Sequence, residues 1–291
     1  MKNLEYSNLT GNYIMQNNRS TIYEYDDKLY KIFSHFYLCI LKQYGINIEE
    51  KLLYADKLTD LKEISMPTAI IYHEGEVVGY EMEKYEGTTY DQIPYDSNYT
   101  LMDFANLYSR LEEVLNKAND RNIVIPDFAS CDNILFLNGD RTNIQDNEIR
   151  ILDYSDFQIG EHKTFIISTG INCDVIKTPK YYDNQKGLYK KELNKLSLVI
   201  AFFSDALFMN LKLASEFSYN CNINGSSYKL VDLLRLLGIE DSIIINEMEK
   251  LYNQDISNPN YSDIFYRIAE LYRFTEYDKE DKLLTYKLTR K

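Results

Sequence analysis

Three polar residues with the chemistry of a magnesium site surround two short β-type runs in the middle of the chain. The runs cover 134–137 and 149–152, and the segment between them is rich in Asn, Gly and Asp, as in a turn. Asp127 and Asn133 precede the first run, and Asp153 follows the second. A hairpin would bring Asn133 and Asp153 together and let Asp127 converge on them. Carboxylate and amide oxygens suit Mg²⁺, and a spare carboxylate could accept a hydroxyl proton in phosphoryl transfer.

An ordinary hairpin with Asp and Asn at its turns explains the same residues. Asp132 directly precedes Asn133, so either side chain could face a metal ion. Features in the rest of the sequence are needed to distinguish a plain hairpin from a phosphotransfer site.

The stretch resembles the catalytic loop and metal-binding loop of the protein-kinase-like superfamily. In that family an Asp begins the first loop, an Asn ends it, and a second strand leads to the Asp of an Asp-Phe-Gly motif. Asp127, Asn133 and Asp153 are the matching residues, and Asp153 opens an Asp-Tyr-Ser sequence. The chain departs from the family pattern at Ile125-Pro126, which replaces His-Arg. The Asp-to-Asn spacing is also one residue longer, so that Asp132 holds the usual Asn position.

A β-meander is predicted over residues 12–33, where strand-like runs alternate with short turns. Lys31 lies on the third strand between apolar residues. A surface lysine on a strand is common, but the resemblance implies that Lys31 holds the α- and β-phosphates of ATP. It also implies that the turn at 16–20 covers the phosphates and that Ile22 lies beside the nucleotide. This turn contains no glycine, so its backbone is less suited to approach phosphate closely.

Asn47 is predicted to cap a helix over residues 48–59, whose apolar residues recur at helical spacing. Glu49 and Glu50 stand in its first turn, where they also suit the helix dipole. The resemblance implies that one of these glutamates pairs with the strand lysine, and the spacing to the following leucines favours Glu49.

A second hairpin is predicted over residues 66–83, around the turn His73-Glu74-Gly75-Glu76. Its end resembles the last strand and the hinge of a kinase small lobe. The resemblance implies that Met82 lies near the adenine and that backbone groups from Glu83 to Tyr85 bind the adenine edge.

The second part of the chain is predicted to be mainly helical. A long amphipathic helix is expected from Leu101 to Asn119. Thr178-Pro179-Lys180 resembles the end of a kinase activation segment, with Lys180 in place of Glu. The apolar helix that follows resembles a buried kinase helix, with Asn194 in place of Asp. Further helices are predicted over 228–238, 240–254 and 261–273.

The composition of the chain argues against several classes of function. The formal net charge of −13 argues against nonspecific binding to nucleic acid. Four widely spaced cysteines and three histidines argue against a structural zinc site and fit a reducing cytoplasm. The most apolar run, 196–208, contains Ser204 and Asp205 and is too short to span a bilayer.

The order of these features predicts an α+β, two-lobed protein-kinase-like fold. A small antiparallel β lobe would cover 1–84 and a larger, mainly helical lobe 85–291. The expected function is ATP- and Mg²⁺-dependent transfer of the γ-phosphate to a hydroxyl, with Asp127 as the base. The favoured acceptor is Ser or Thr of a protein substrate, and Tyr of a protein and a small molecule are the alternatives. One alternative is a pseudokinase that binds nucleotide or a protein partner without transfer. A weaker alternative is a scaffold with no nucleotide site.

Overall fold

The structure is a computed structural model that describes most residues of the chain. These are residues 1–9, 11–89, 100–126, 128, 133–137, 148–165, 179–203, 220–223, 226–236, 238–252, 260–276 and 286–291. Asp127, Asp132 and Thr178, which the sequence analysis singled out, lie outside the described residues.

A six-stranded mixed sheet forms the first part of the chain. Its strands are β1 (Lys2–Glu5), β2 (Asn12–Gln16), β3 (Ser20–Tyr25), β4 (Lys28–Phe33), β5 (Pro67–His73) and β6 (Glu76–Glu83). The spatial order is β1-β5-β6-β4-β3-β2, with β1 parallel to β5 and the other neighbours antiparallel. The predicted meander is therefore confirmed as β2–β4, and the second predicted hairpin as β5–β6. The strand β1 was not expected from the sequence.

Two glycines determine the geometry of the β5–β6 hairpin. Gly75 adopts a φ of 81° and Glu74 a φ of 51° in the turn, and consecutive positive φ values suit the twist of a two-residue hairpin. Gly79 lies against β4, where a Cβ atom would stand 2.3 Å from the carbonyl oxygen of Lys31. The missing side chain of Gly79 therefore allows β6 to pair closely with the strand that carries Lys31.

Two helices cross over between β4 and β5, and the remaining helices follow the sheet. They are α1 (His35–Gln43), α2 (Ile48–Leu53), α3 (Leu101–Asp120), α4 (Glu192–Phe202), α5 (Leu230–Leu236), α6 (Ser242–Tyr252) and α7 (Tyr261–Leu271). Asn47 caps α2 by accepting a hydrogen bond from the Glu50 amide, as predicted. The helix is shorter than predicted, because a 3₁₀ turn over Tyr54–Lys57 replaces its second half.

Short strand pairs accompany these helices. They are β7 (Gly87–Thr89), β8 (Ile123–Val124), β9 (Ile134–Leu137), β10 (Glu148–Ile151), β11 (Gln158–Ile159), β12 (Tyr182–Asp183), β13 (Leu188–Tyr189), β14 (Asn220–Ile223), β15 (Ser226–Lys229), β16 (Tyr272–Glu276) and β17 (Tyr286–Arg290). The strands β7, β9 and β10 form one sheet, and β8 pairs with β11. The β9–β10 pair is the hairpin predicted around the candidate metal residues.

The helical part packs around α3, whose apolar face contacts α4 and α7. The ring of Phe202 stacks on Phe265 with a centroid distance of 4.1 Å, and Tyr108 lies edge-on to Phe202 at 5.3 Å. Glu112 accepts hydrogen bonds from the Tyr261 and Ser262 amides at 3.1 and 2.8 Å, so α3 also caps the start of α7. The architecture is α+β, as predicted.

No helix in the described part of the chain is both long and apolar enough to cross a membrane.

Candidate functional site

The β9–β10 hairpin brings two of the predicted metal residues to neighbouring strand ends. Ile134 and Ile151 are paired across the hairpin, and the Leu152 amide donates to the Asn133 carbonyl at 2.8 Å. Asn133 therefore lies beside the segment that leads directly into Asp153. The approach of Asp127 to this pair stays a prediction, because Asp127 is outside the described residues.

Asp153 has an unusual backbone conformation with a φ of 62° and a ψ of 45°. A non-glycine residue is uncommon in this left-handed region, and such residues concentrate at functional sites. Its side chain is 34% exposed, so the carboxylate remains accessible to a ligand. The conformation turns the chain away from β10 and starts the 3₁₀ turn Tyr154–Asp156.

Lys31 lies on β4 and is only 5% exposed. Its Nζ contacts the Asp153 Oδ1 at 2.7 Å. Burial alone would lower the pKa of Lys31, but the Asp153 carboxylate, Tyr80 and the Asp156 carboxylate outweigh burial and raise that pKa above its ordinary value. Lys31 is therefore a fixed cation whose principal partner is the carboxylate at the end of the hairpin.

The residues predicted to surround a nucleotide share one face of the sheet with Lys31. Ile22 is directly opposite Lys31 on β3, and Tyr80 is directly opposite it on β6. Met82 follows Tyr80 by two residues and therefore points to the same side. Side chains of paired residues lie side by side, so the register brings Ile22, Lys31 and Met82 to one surface.

The predicted hinge is only partly free to bind an adenine edge. The Lys84 amide donates to the Asp27 carbonyl at 3.2 Å, so this group between Glu83 and Tyr85 is already used. The Glu83 side chain forms an ion pair with Lys28. The Tyr85 ring lies 5.1 Å from the Arg150 guanidinium carbon. Adenine binding by the Glu83 and Tyr85 backbones stays a prediction.

The predicted ion pair between Lys31 and Glu49 is not present. Glu49 is exposed and accepts a hydrogen bond from the Tyr72 hydroxyl at 2.8 Å, and Glu50 is exposed as well. Ile48 and Leu52 bury one face of α2, and residues three and four positions apart share a face. The same spacing places Lys51 inward and both glutamates outward.

Lys51 is a functional candidate that the sequence analysis missed. It is 1% exposed, and its Nζ donates to the Ser155 carbonyl at 2.5 Å. Burial lowers its pKa to about 7, against the opposing effect of the Asp156 carboxylate, while the Lys31 charge lowers it further. The spacing of three residues from Ile48 could have indicated that Lys51 faces inward. The helix therefore contributes a cation to the site where the resemblance implied an anion.

A second missed carboxylate, Asp156, connects the site to the turn before β3. It accepts hydrogen bonds from Arg19 Nη1 at 2.7 Å and from the Tyr37 hydroxyl at 3.1 Å. Asn17 stabilises the turn by accepting from the Arg19 and Ser20 amides. Hydrogen bonding therefore orders the glycine-free turn and ties it to Asp156. The charged groups Arg19, Lys31, Lys51, Asp153 and Asp156 are called the Lys31 cluster below.

Asn194 fixes the segment that leads into Asp127. The Ile125 amide donates to Asn194 Oδ1 at 2.7 Å, and Asn194 Nδ2 donates to the Ile123 carbonyl at 2.9 Å. Asn194 is fully buried on α4. This buried side chain satisfies backbone groups of the strand before Asp127, so it positions the chain at the point where the catalytic loop was predicted.

The described donor set for a metal ion is small. No group of three or more His, Cys, Asp and Glu side chains able to hold a metal occurs among the described residues. Asn133 carries a buried amide and Asp153 a carboxylate that is accessible. Mg²⁺ commonly binds one or two protein oxygens and completes its shell with water and phosphate, so this donor set is compatible with a magnesium–phosphate site.

The chain matches no family model and no curated protein.

Proposed function

We propose that the chain is an ATP- and Mg²⁺-dependent phosphotransferase of protein-kinase-like type. It would transfer the γ-phosphate to a hydroxyl, with Ser or Thr of a protein as acceptor. The observation that carries this proposal is the 2.7 Å ion pair between Lys31 on a central strand and Asp153 after the β9–β10 hairpin. A strand lysine and a metal-binding carboxylate at one site are parts that kinase-type phosphoryl transfer uses.

The proposed roles follow from the positions of the side chains. Lys31 holds the nucleotide phosphates, and Ile22 and Met82 provide the apolar surface beside them. Asn133 and Asp153 bind Mg²⁺, which supplies charge neutralisation at the phosphate oxygens. Asp127 orients the acceptor hydroxyl and takes its proton, and Asn194 supports this role by fixing the strand before it.

The local charge supports an anionic ligand. Three cationic side chains of the Lys31 cluster, Arg19, Lys31 and Lys51, face two carboxylates, although the chain as a whole carries a net charge of −13. A buried cation has a high electrostatic cost unless an anion compensates it. Phosphate oxygens would supply this compensation when Asp153 turns to the metal.

The arrangement of elements supports the finer description of the fold. Strands predominate up to residue 89 and the longer helices follow from Leu101 onward, which agrees with a small lobe over 1–84 and a larger lobe over 85–291. A protein substrate and a cytoplasmic location, where ATP is available, are part of the same proposal.

A thermal-shift titration with ATP, with and without Mg²⁺, tests the nucleotide site. A ligand that binds only the folded state stabilises it by RT ln(1 + [L]/Kd), or about 2.7 kcal/mol at one hundred times Kd. We expect a Mg²⁺-dependent rise in Tm of several degrees for the wild type. Lys31→Ala and Asp153→Ala should abolish it, whereas Lys62→Ala, at an exposed position, should retain it. A wild-type Tm that millimolar ATP leaves unchanged would refute the proposal.

A pseudokinase is the second candidate, and two observations favour it. The outward orientation of Glu49 removes the expected partner of Lys31, and the Arg19–Asp156 pair fixes a turn that lacks glycine. Phosphate release from γ-labelled ATP, or transfer to a generic Ser/Thr protein, separates the candidates. Activity that Asp127→Ala abolishes without changing ATP binding supports the enzyme. Tight Mg²⁺-dependent ATP binding without any turnover supports the pseudokinase.

A further inference from the structure

The roles proposed above leave Asp156 without an assignment, although it is one of the most buried charged residues. It is 5% exposed and ends the 3₁₀ turn that Asp153 begins. Its amide donates to the Asp153 carbonyl at 2.8 Å, and its carbonyl accepts from the Thr164 hydroxyl at 2.8 Å. The backbone of Asp156 is therefore rigidly connected to the candidate metal residue, and its carboxylate is held in one position.

Groups from four separate elements converge on the Asp156 carboxylate. Arg19 from the β2–β3 turn and Tyr37 from α1 donate hydrogen bonds to it at 2.7 and 3.1 Å. The negative charge of Asp156 also acts on Lys31 of β4 and Lys51 of α2. It favours the protonated form of both amines and opposes the lowering of their pKa values by burial. The Lys51 Nζ is anchored at 2.5 Å to the carbonyl of the preceding residue, Ser155. The carboxylate thus binds Arg19 directly and acts electrostatically on the two lysines of the Lys31 cluster.

Asp153 cannot serve as a lasting partner of Lys31 if it binds a metal ion. Its carboxylate is the accessible one, whereas Asp156 is enclosed by its donors. Glu49 and Glu50 point away from the site on the outer face of α2. Among the described residues, Asp156 is the second carboxylate that acts on Lys31, and it remains available when Asp153 is engaged.

We propose that Asp156 is the positioning residue of the phosphate site, and that its buried carboxylate holds Arg19, Lys31 and Lys51 around the place of the nucleotide phosphates. This role is the one for which the resemblance implied a glutamate of α2, and the inference rests on the proposed function. The elements that supply the charges differ from those that the resemblance implied. The loop after β10 supplies the carboxylate, and α2 supplies a second cation, Lys51.

Asp156→Asn removes the charge with almost no change in shape, and Glu49→Gln is its matched control on the residue that the resemblance favoured. The first readout needs no nucleotide: the pH titration of the Lys51 ε-carbon by NMR on lysine-labelled protein. We expect Asp156→Asn to move the Lys51 midpoint lower by about one pH unit or more, because an opposite charge nearby favours the ammonium form. Glu49→Gln should leave the midpoint unchanged.

The second readout is the affinity for ATP with Mg²⁺, measured by calorimetry on the same proteins. We expect Asp156→Asn to weaken binding by about tenfold or more, the usual effect of losing a charge-assisted hydrogen bond, while Glu49→Gln binds like the wild type. Unchanged affinity and an unchanged Lys51 midpoint in Asp156→Asn would overturn the inference. A wild type that does not bind ATP refutes the proposed function instead, and the Lys51 titration then still decides whether Asp156 holds the lysines.

Arg19→Gln provides a second test in which the carboxylate is retained, in case Asp156→Asn does not fold. Arg19 donates to the Asp156 carboxylate at 2.7 Å, and the same carboxylate favours the protonated form of Lys51. Arg19 competes with the lysines for the Asp156 carboxylate, so its removal should strengthen the interaction of Asp156 with the lysines. We expect the Lys51 midpoint to move to higher pH, and a midpoint that falls or stays fixed contradicts the proposal.

Discussion

The burial of Lys51 is only partly compensated, whereas the carboxylates around Lys31 more than compensate the burial of that residue. A buried ammonium loses its hydration, and one carbonyl from Ser155 with one nearby carboxylate, Asp156, compensates only part of that loss. The pKa of Lys51 is therefore lowered from 10.5 to about 7. Without a ligand, the charged form of Lys51 is therefore disfavoured, and a bound polyphosphate would stabilise it.

Stability should consequently depend on pH in a window set by Lys51. Between about 7 and 10.5 the unfolded chain binds more protons than the folded chain at this residue, so the free energy of unfolding rises with pH across that window. Below it, both states carry the proton and the cost is fully present. Lys51→Met should remove this contribution, which is on the order of a few kcal/mol.

Urea unfolding at pH 7 and at pH 9.5 measures the effect. The wild type should gain more stability from the pH change than Lys51→Met does, and Lys62→Met, at an exposed lysine, should behave like the wild type. Equal pH dependence in the wild type and Lys51→Met would show that the amine is solvated in the folded protein.

At the scale of elements, the close pairing of β6 with β4 determines where Lys31 lies. A Cβ at Gly79 would stand 2.3 Å from the Lys31 carbonyl and 3.1 Å from the Ile32 Cα. Both obstacles belong to backbone, which cannot rotate aside as a side chain does. Any larger residue must therefore separate the two strands.

Gly79→Ala should destabilise the protein by about 1–3 kcal/mol, the usual range for overpacking in a buried position. Because the strained strand carries Lys31, affinity for ATP with Mg²⁺ should fall as well. Glu76→Ala, at the exposed start of the same strand, is the control and should change stability by less than about 0.5 kcal/mol. Thermal unfolding and the ATP titration on both variants give the result, and a Gly79→Ala protein as stable as the control would mean that β4 and β6 are less closely paired.

The local sequence pattern was sufficient to predict most strands and helices, but it was insufficient to predict the contacts between them. Alternating apolar residues and turn sequences predicted β2 to β6, and helical spacing predicted α3 within one residue of Leu101–Asp120. The strand β1 was missed because its four residues are mainly exposed and its parallel pairing with β5 is distant in sequence. Such a strand has no periodic signal of its own.

The candidate site was predictable where it follows strand ends and unpredictable where it depends on packing. Asn133 and Asp153 came together because hairpin register is local. The orientation of α2 followed from Ile48 and Leu52, but the resemblance directed attention to Glu49 instead of the inward Lys51. Asp156 gave no signal, since its partners Arg19 and Tyr37 are more than one hundred residues away in sequence.

At the scale of the whole molecule, buried apolar side chains form one continuous cluster that extends from Phe33 to Tyr272. The cluster crosses the boundary predicted between residues 84 and 85. The Lys31 cluster and the hydrogen bond from the Tyr154 hydroxyl to the Lys51 carbonyl, at 3.1 Å, add polar ties between the sheet and the later part of the chain. Separation of the sheet from the helices would expose apolar surface and leave buried charges without partners.

The described parts of the chain should therefore unfold as one cooperative unit. Tyrosine fluorescence and far-UV circular dichroism should give superimposable transitions in urea, because a shared core leaves no stable half. The tyrosines are numerous, at 27, and the chain has no tryptophan, so the fluorescence reports on both parts. Asp156→Asn weakens the polar ties without touching the apolar cluster, and it should lower the midpoint while the two curves remain superimposed. Two separated transitions in the wild type would show that the predicted lobes are independent domains, each stable without the other.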